Sequence, residues 1–189
     1  SDNNRIAVEW FRAMLNRTLG QIEENFANYR ISEALMLVYR LFWDEFSGWY
    51  LEMVKPAYGQ PVDRATLDAT REFFDKLLRI LHPFMPFITE EIWQHMASRR
   101  DGESIMVSPM PAVEPFDAVL LDRIEQVKEA VSAVRNIRKQ HNLPNKEALP
   151  LKVVADENYH AEFDPMLVKM AGLSEVETVA DKLPDAASF

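Results

Sequence analysis

The chain has 189 residues, 48% of them apolar, with no cysteine, four histidines and a formal charge of -9. That length suffices for one ordinary core or for a core plus a small appendage. The charge counts against a general nucleic-acid binder, whose footprint is a basic face, and leaves only a local basic patch for such a role. The missing cysteines exclude a disulfide framework and thiolate metal sites. No apolar run approaches the ~20 residues that cross a bilayer, and no secretory leader pattern opens the chain, so a soluble cytoplasmic protein is expected.

From about Arg5 to Tyr29, apolar residues Val8, Phe11, Leu15, Leu19, Ile22, Phe26 and Tyr29 recur at steps of three and four. This predicts an amphipathic first helix with one core face. Off that stripe lie Arg5, Trp10, Arg12, Asn16 and Arg17. Cations, an amide and a ring together suit single-stranded loop recognition, where bases stack on aromatic rings at ~1–3 kcal/mol each. The competing account makes Trp10 core beside Met14 and the arginines a solvated face. A second helix, about Ser32 to Lys55, is apolar almost all round and is expected to be the most buried, with Trp43, Phe46, Trp49 and Tyr50 mainly in the core. Pro56 stops it, and Asp63 then caps a third helix carrying Leu67, Phe74, Leu77, Leu78 and Leu81.

The run Leu81 to Trp93, LHPFMPFITEEIW, reads as a helical corner. Pro83 and Pro86 each remove a backbone donor and bias the preceding residue away from helix, while Thr89 is placed to cap a fourth helix ending near Ala97. Glu90 and Glu91 fall in its first turn, where the dipole favours them. Phe84 or Phe87 is expected to be buried against Trp93 or the second helix. Residues 104–115 form a connector with a short extended piece at Ile105–Val107. A fifth helix, about Asp117 to His141, carries Leu120, Ile124, Val127, Val131, Val134 and Ile137. Arg135, Arg138 and Lys139 at i, i+3 and i+4 make a cationic patch, extended by Asn136, His141 and Lys146, that either holds a phosphate run or complements the helix dipole. Leu149 to Ala155 then reads as a strand, Pro165 to Ala171 as a short helix ended by Gly172, and Val176 to Val179 as a second strand. Two strands alone are marginal, so this piece is expected to pack on the fifth helix or to begin something larger. The expected fold is mainly α, a helical bundle over 1–115, followed by a long helix and a small α+β extension over 116–189.

No reacting constellation is visible. His82 and His95 lack a nucleophile and an orienting group, Glu90 and Glu91 diverge on a helix, and the five glycines form no phosphate-cradling loop. No catalytic residue and no metal ligand is assigned.

Several runs carry a family resemblance. LHPFMPFITEEIW, the segment Phe42–Phe46 with Trp49–Glu52 and Lys55-Pro56, the run Ser104–Pro109 and Arg135–Arg138 stand in order over most of the chain up to about Ala155. Together they resemble the anticodon-binding domain of the class I aminoacyl-tRNA synthetases, closest to its valine-specific branch. Two places depart from the family wording: Ser47-Gly48, where a Cys or Asp and a second Asp are usual, and Ala13–Asn16, where Ser-Arg-Leu-Asn is common. The resemblance implies an anticodon-binding bundle, with Trp10, Arg12, Asn16, Arg17, Arg135, Asn136, Arg138 and Lys139 as candidates for contact with a tRNA for valine. Arg138 has a second possible partner, the catalytic domain of the same parent chain. The resemblance also implies that ATP and Mg serve the parent rather than this region, because the His-x-Gly-His and Lys-Met-Ser-Lys-Ser signatures are missing. A monomer is expected, and without heptads after Val179 the family's coiled-coil arm is expected to be absent. The alternatives are the same domain of an isoleucyl or leucyl enzyme and a helical protein-interaction module with no RNA role.

Overall fold

The computed structural model describes residues 2–144, 147–183 and 186–189. They fall into two compact units, Ser1–Ala118 and Val119–Phe189. The fold is mainly α with a small two-stranded sheet, in agreement with the expectation from sequence.

The first unit contains α1 (Asp2–Ala27), α2 (Ile31–Arg40), a wide π-helical stretch (Leu41–Tyr50) that runs on into α3 (Leu51–Val54), α4 (Arg64–Leu81) and α5 (Pro86–Met96). Contacts between α1 and α4 rise together along both helices, from Asn4 with Asp63, through Arg12 with Glu72, to Phe26 with Phe84, so the two run parallel. Phe42 meets Phe74 while Tyr50 bonds Thr70, so the helix between them runs the other way. The Trp93 indole N–H donates to Asp75, which brings α5 back along α4. The arrangement is up, down, up, down.

An aromatic cluster holds it together. Phe11 lies 5.3 Å from Phe46 and 5.0 Å from both Tyr50 and Phe73 between ring centroids, the spacing of favourable tilted and edge contacts. Burial raises the Tyr50 pKa, and its hydroxyl is satisfied by Thr70 Oγ1 at 2.7 Å. Asp63 caps α4 as expected, accepting from the Thr66 N–H at 2.9 Å and from its hydroxyl at 2.7 Å.

The sequence misplaces the centre of the bundle. The most enclosed helix is α1, not the second: residues all round it, from Ile6 and Ala7 to Leu19 and Ile22, are buried. It touches α2, the π stretch, α3 and α4. By contrast α2 buries only Ala34 and Val38, and the π stretch buries Leu41, Phe46 and Tyr50. Leu35, Met36, Tyr39 and Trp43 are exposed, Trp43 by 64%, so it leaves the core cluster assigned to it.

The corner also differs in detail. Helix α5 begins at Pro86, a residue suited to the first helical position, rather than at Thr89. Thr89 lies inside the first turn, fully buried; its hydroxyl donates to the Met85 carbonyl at 2.8 Å and meets His82 Nδ1 at 2.7 Å. The earlier start turns Phe87 outward, 89% exposed, while Phe84 stacks on Phe26 of α1 with centroids 6.1 Å apart. Trp93 is buried as expected, but against Leu78 and Ile105.

Glu90 is a tie rather than a solvated helix charge. It accepts from Ser104 Oγ at 2.6 Å, the Ile105 N–H at 3.1 Å and Gln94 at 2.7 Å, and the Gln94 and Ser104 bonds hold its pKa below the usual carboxylate value. Ile105–Val107 forms a short 3-10 turn instead of an extended piece. Ser104 Oγ accepts from the Met106 N–H, Ile105 alone is buried, and no strand among the described residues of this unit is available to pair with.

In the second unit, α6 (Ala118–Gln140) is followed by β1 (Leu149–Val154), α7 (Asp164–Ala171) and β2 (Leu173–Val179). The strands pair in parallel, Leu149 with Leu173 and then Leu151 with Val176 through Val154 with Val179, with an irregularity after Leu149. Gly172 ends α7 at φ 64°, ψ 42°, the left-handed position glycine occupies freely, and β2 starts directly after it, earlier than expected. This piece does pack on α6, through Arg138 and Arg135.

Candidate nucleic-acid interface

Of the residues singled out on α1, three belong to the scaffold. Trp10 is fully buried, its ring 6.1 Å from Phe11, so no base can stack on it. Asn16 is 2% exposed: its amide donates to the Arg12 carbonyl at 2.9 Å, and its oxygen accepts from the Glu114 N–H at 2.8 Å, which fastens the connector to α1. Arg12 is half-buried, its guanidinium 5.1 Å from the Phe73 ring centroid and paired with Glu72 at 2.9 and 3.3 Å. Burial pushes the Glu72 carboxyl up, but Arg12 and Lys76 outweigh this and leave its pKa lowered. Arg17 alone of this group is an open cation, exposed, with Nη2 3.2 Å from the Met14 sulfur and no carboxylate partner among the described residues.

The patch on α6 divides in the same way. Arg138 is 5% exposed and spends its guanidinium on carbonyls, of Pro144 at 3.2 Å, Glu147 at 2.8 Å and Gly172 at 2.8 Å. It therefore closes the end of α6 onto the loop and onto the start of β2, and offers nothing to a phosphate. Arg135 is exposed while bonding the Met170 carbonyl at 2.9 Å. Asn136, Lys139 and His141 are exposed, and Lys146 lies outside the described residues. The i, i+3, i+4 spacing put Arg138 on the same side as Lys139, but only the fold shows that loop and strand carbonyls converge on it.

Sequence reading missed a second arginine cluster. Asp75 accepts from the Trp93 indole at 2.7 Å and pairs with Arg79 at 2.5 Å; Arg99 lies 4.0 Å from the same carboxylate, its guanidinium carbon 3.4 Å from the Trp93 ring centroid. The partners come from two helices and a loop; the i,i+4 spacing of Asp75 and Arg79 was the one local signal, and nothing local adds Trp93 or Arg99 to that pair. Exposed Arg30, Arg40 and Arg71 also stand off the predicted face. Among the described residues no group of three or more His, Cys, Asp or Glu could hold a metal ion, and no helix is long and apolar enough to cross a membrane.

The first unit is thus a four-helix bundle braced by buried polar ties, with exposed cations on its surface. The profile described as "Anticodon-binding domain of tRNA ligase" matches residues 8–155, and the chain belongs to that family. It is 53% identical to a valine–tRNA ligase of Parabacteroides distasonis over 97% of this chain and 21% of that protein. A valine–tRNA ligase of Bacteroides thetaiotaomicron is 49% identical over 100% of this chain and 22% of its own length. One of Bacillus cereus is 36% identical over 80% and 18%. The chain thus spans about a fifth of the length of these relatives.

Proposed function

We propose that this chain is the anticodon-arm recognition region of a valine–tRNA ligase. The observation that carries the reading is the family match over 8–155 together with the similarity to the valine–tRNA ligases reported above. Its task is to hold the anticodon arm of a tRNA for valine so that the acceptor end reaches a catalytic region outside this chain. That region would activate valine with ATP and transfer it to the tRNA. ATP and Mg are assigned to the parent because the relatives are valine–tRNA ligases of which this chain spans about a fifth, and no step is routed through them here. We assign the RNA contacts to Arg17 on α1 and to Arg135, Asn136 and Lys139 on α6, the members of the two predicted patches that remain accessible. A monomer in the cytoplasm completes the proposal.

The test is a titration of the purified chain with a tRNA for valine and an unrelated tRNA across a salt series. Tighter binding of the valine tRNA, weakening steeply with salt, is the expected result; each lost phosphate contact in a single-stranded loop should reduce the log–log slope by about 0.7. Arg17→Glu should weaken binding and flatten that slope. Arg12 is not used, because a glutamate there would face Glu72 and disturb the fold. Equal binding of both tRNAs, or binding indifferent to salt, would overturn the reading and favour a helical protein-interaction module, whose apolar docking does not depend on counterion release. The chain alone is expected to give no valine-dependent pyrophosphate exchange.

A further inference from the structure

Charge on one face of α4 does not cancel. Glu72 is answered by Arg12 in a two-bond fork at 2.9 and 3.3 Å, so Lys76, 2.9 Å from the same carboxylate, brings a positive charge in excess. Asp75 is answered by Arg79 at 2.5 Å, so Arg99, 4.0 Å from it, brings a second. Earlier on the helix Asp68 pairs with Arg64 at 2.7 Å and cancels, while Arg71 is exposed with no carboxylate partner among the described residues. Asp75 and Lys76 are adjacent and Arg79 lies one turn beyond both, so the excess gathers around Arg79. We propose that Lys76, Arg79 and Arg99 form a seat for one phosphate of an RNA backbone, a site separate from the contacts assigned to Arg17 and α6.

Chemistry, rigidity and access together select that ligand. A guanidinium offers parallel N–H donors that match phosphate oxygens; Arg79 and Arg99 supply two such forks, and Lys76 adds a point charge. The seat is fixed in advance. The Arg99 guanidinium carbon lies 3.4 Å from the Trp93 ring centroid, and Asp75 holds the Trp93 indole N–H at 2.7 Å, so little side-chain freedom is left to lose on binding. All three side chains are reached by solvent, Lys76 by 20%, Arg79 by 26% and Arg99 by 21%, whereas Arg138 is buried and turned onto carbonyls. Counted with Arg12, Arg71 and the exposed Glu114 of the connector, five cations stand against three carboxylates on a chain of net charge -9. An acidic protein repels a polyanion except where such an island focuses its field. The inference rests on the reading of this chain as a tRNA-binding region.

The test measures tRNA binding by the 189-residue chain across a salt series for Arg99→Gln, Lys76→Gln and Arg99→Lys. Arg99→Gln should weaken binding of a tRNA for valine about three- to tenfold and lower the log–log salt slope by about 0.7–0.9. Preference over an unrelated tRNA should stay as it is, because phosphate contacts position the RNA without reading its sequence. Lys76→Gln should act in the same way, and it serves if Arg99→Gln does not fold. Arg99→Lys should keep the slope, since the charge remains, and lose part of the affinity with the fork. A merely structural Arg99 would move the melting temperature and leave the slope in place. An unchanged slope in a folded Gln variant, with the parent chain still preferring the valine tRNA, would overturn this proposal alone. So would a changed preference at an unchanged slope, which would make these groups readers of bases. A parent chain that binds neither tRNA would overturn the underlying reading and this proposal together.

Discussion

Helix α1 packs against α2 and shares an aromatic cluster with the π stretch that continues it, but α1 is buried over most of its circumference and α2 on one side only. Two tryptophans mark the contrast: Trp10 on α1 is fully buried, and Trp43, at the start of the π stretch that continues α2, is 64% exposed. The residue type is the same, so side-chain hydrophobicity cannot account for the difference. What differs is the set of elements that surround each helix. Burial along a helix measures its neighbours.

Truncating the shared core gives the largest test of this contrast. Phe11→Ala should cost about 3–5 kcal/mol of stability, as large-to-small changes of a fully buried aromatic do, whereas Trp43→Ala should stay within about 0.5 kcal/mol in this chain. Chemical denaturation of both variants checks the pair; a large loss at Trp43 would mean that α2 is covered already. Next come the polar ties. Arg138→Met removes charge-assisted bonds to carbonyls of Pro144, Glu147 and Gly172 and should cost about 1.5–3 kcal/mol, all of it in the second unit. Asn16→Ala strands the Glu114 N–H and should cost about 1–3 kcal/mol, with faster hydrogen exchange in the connector as its signature. At the corner the same logic predicts opposite outcomes for neighbours: Trp93→Ala should cost about 3–5 kcal/mol, and Phe87→Ala, on the open side, about 0.5 kcal/mol or less.

The smallest effect is a pH dependence. Hydrogen bonds from the Thr66 backbone, Asn4 and the Thr66 hydroxyl hold the Asp63 pKa at about 2, below its unfolded value. Its contribution is therefore present above the unfolded pKa and is lost as pH falls from about 4 towards 2. Gln94 and Ser104 lower the Glu90 pKa too, and its contribution fades in the same direction. Asp63→Asn should flatten the acid limb of a melting-temperature profile without moving the plateau near neutrality by much.

Much of the fold is legible in the sequence because its cues are local. The three-and-four spacing of α1, the Asp63 cap, the glycine after α7 and the alternation in β1 each act within a few residues, and the helices and strands stand close to where these cues put them. The family resemblance, too, was carried by short runs, and the match over 8–155 agrees with it. The candidate site was less legible. Arg12, Asn16 and Arg17 look alike as polar residues off one stripe, but Glu72 and Glu114, far away in the chain, decide that the first two brace the bundle. The spacing of Arg135, Arg138 and Lys139 is equally silent about the carbonyls that gather round Arg138.

By itself, then, the sequence determined where the main helices and strands lie, the cap at Asp63 and the stop at Gly172, and the family to which the chain belongs, since each rests on residues within a turn or two of one another, while the start of α5 and the 3-10 turn at Ile105–Val107 escaped it. Which polar side chains are braces and which remain open, why Phe87 faces outward while Phe84 packs on α1, and why the most apolar helix is the less covered one were decided only by the tertiary structure. Those outcomes depend on contacts between residues tens of positions apart, whose geometry no local pattern encodes.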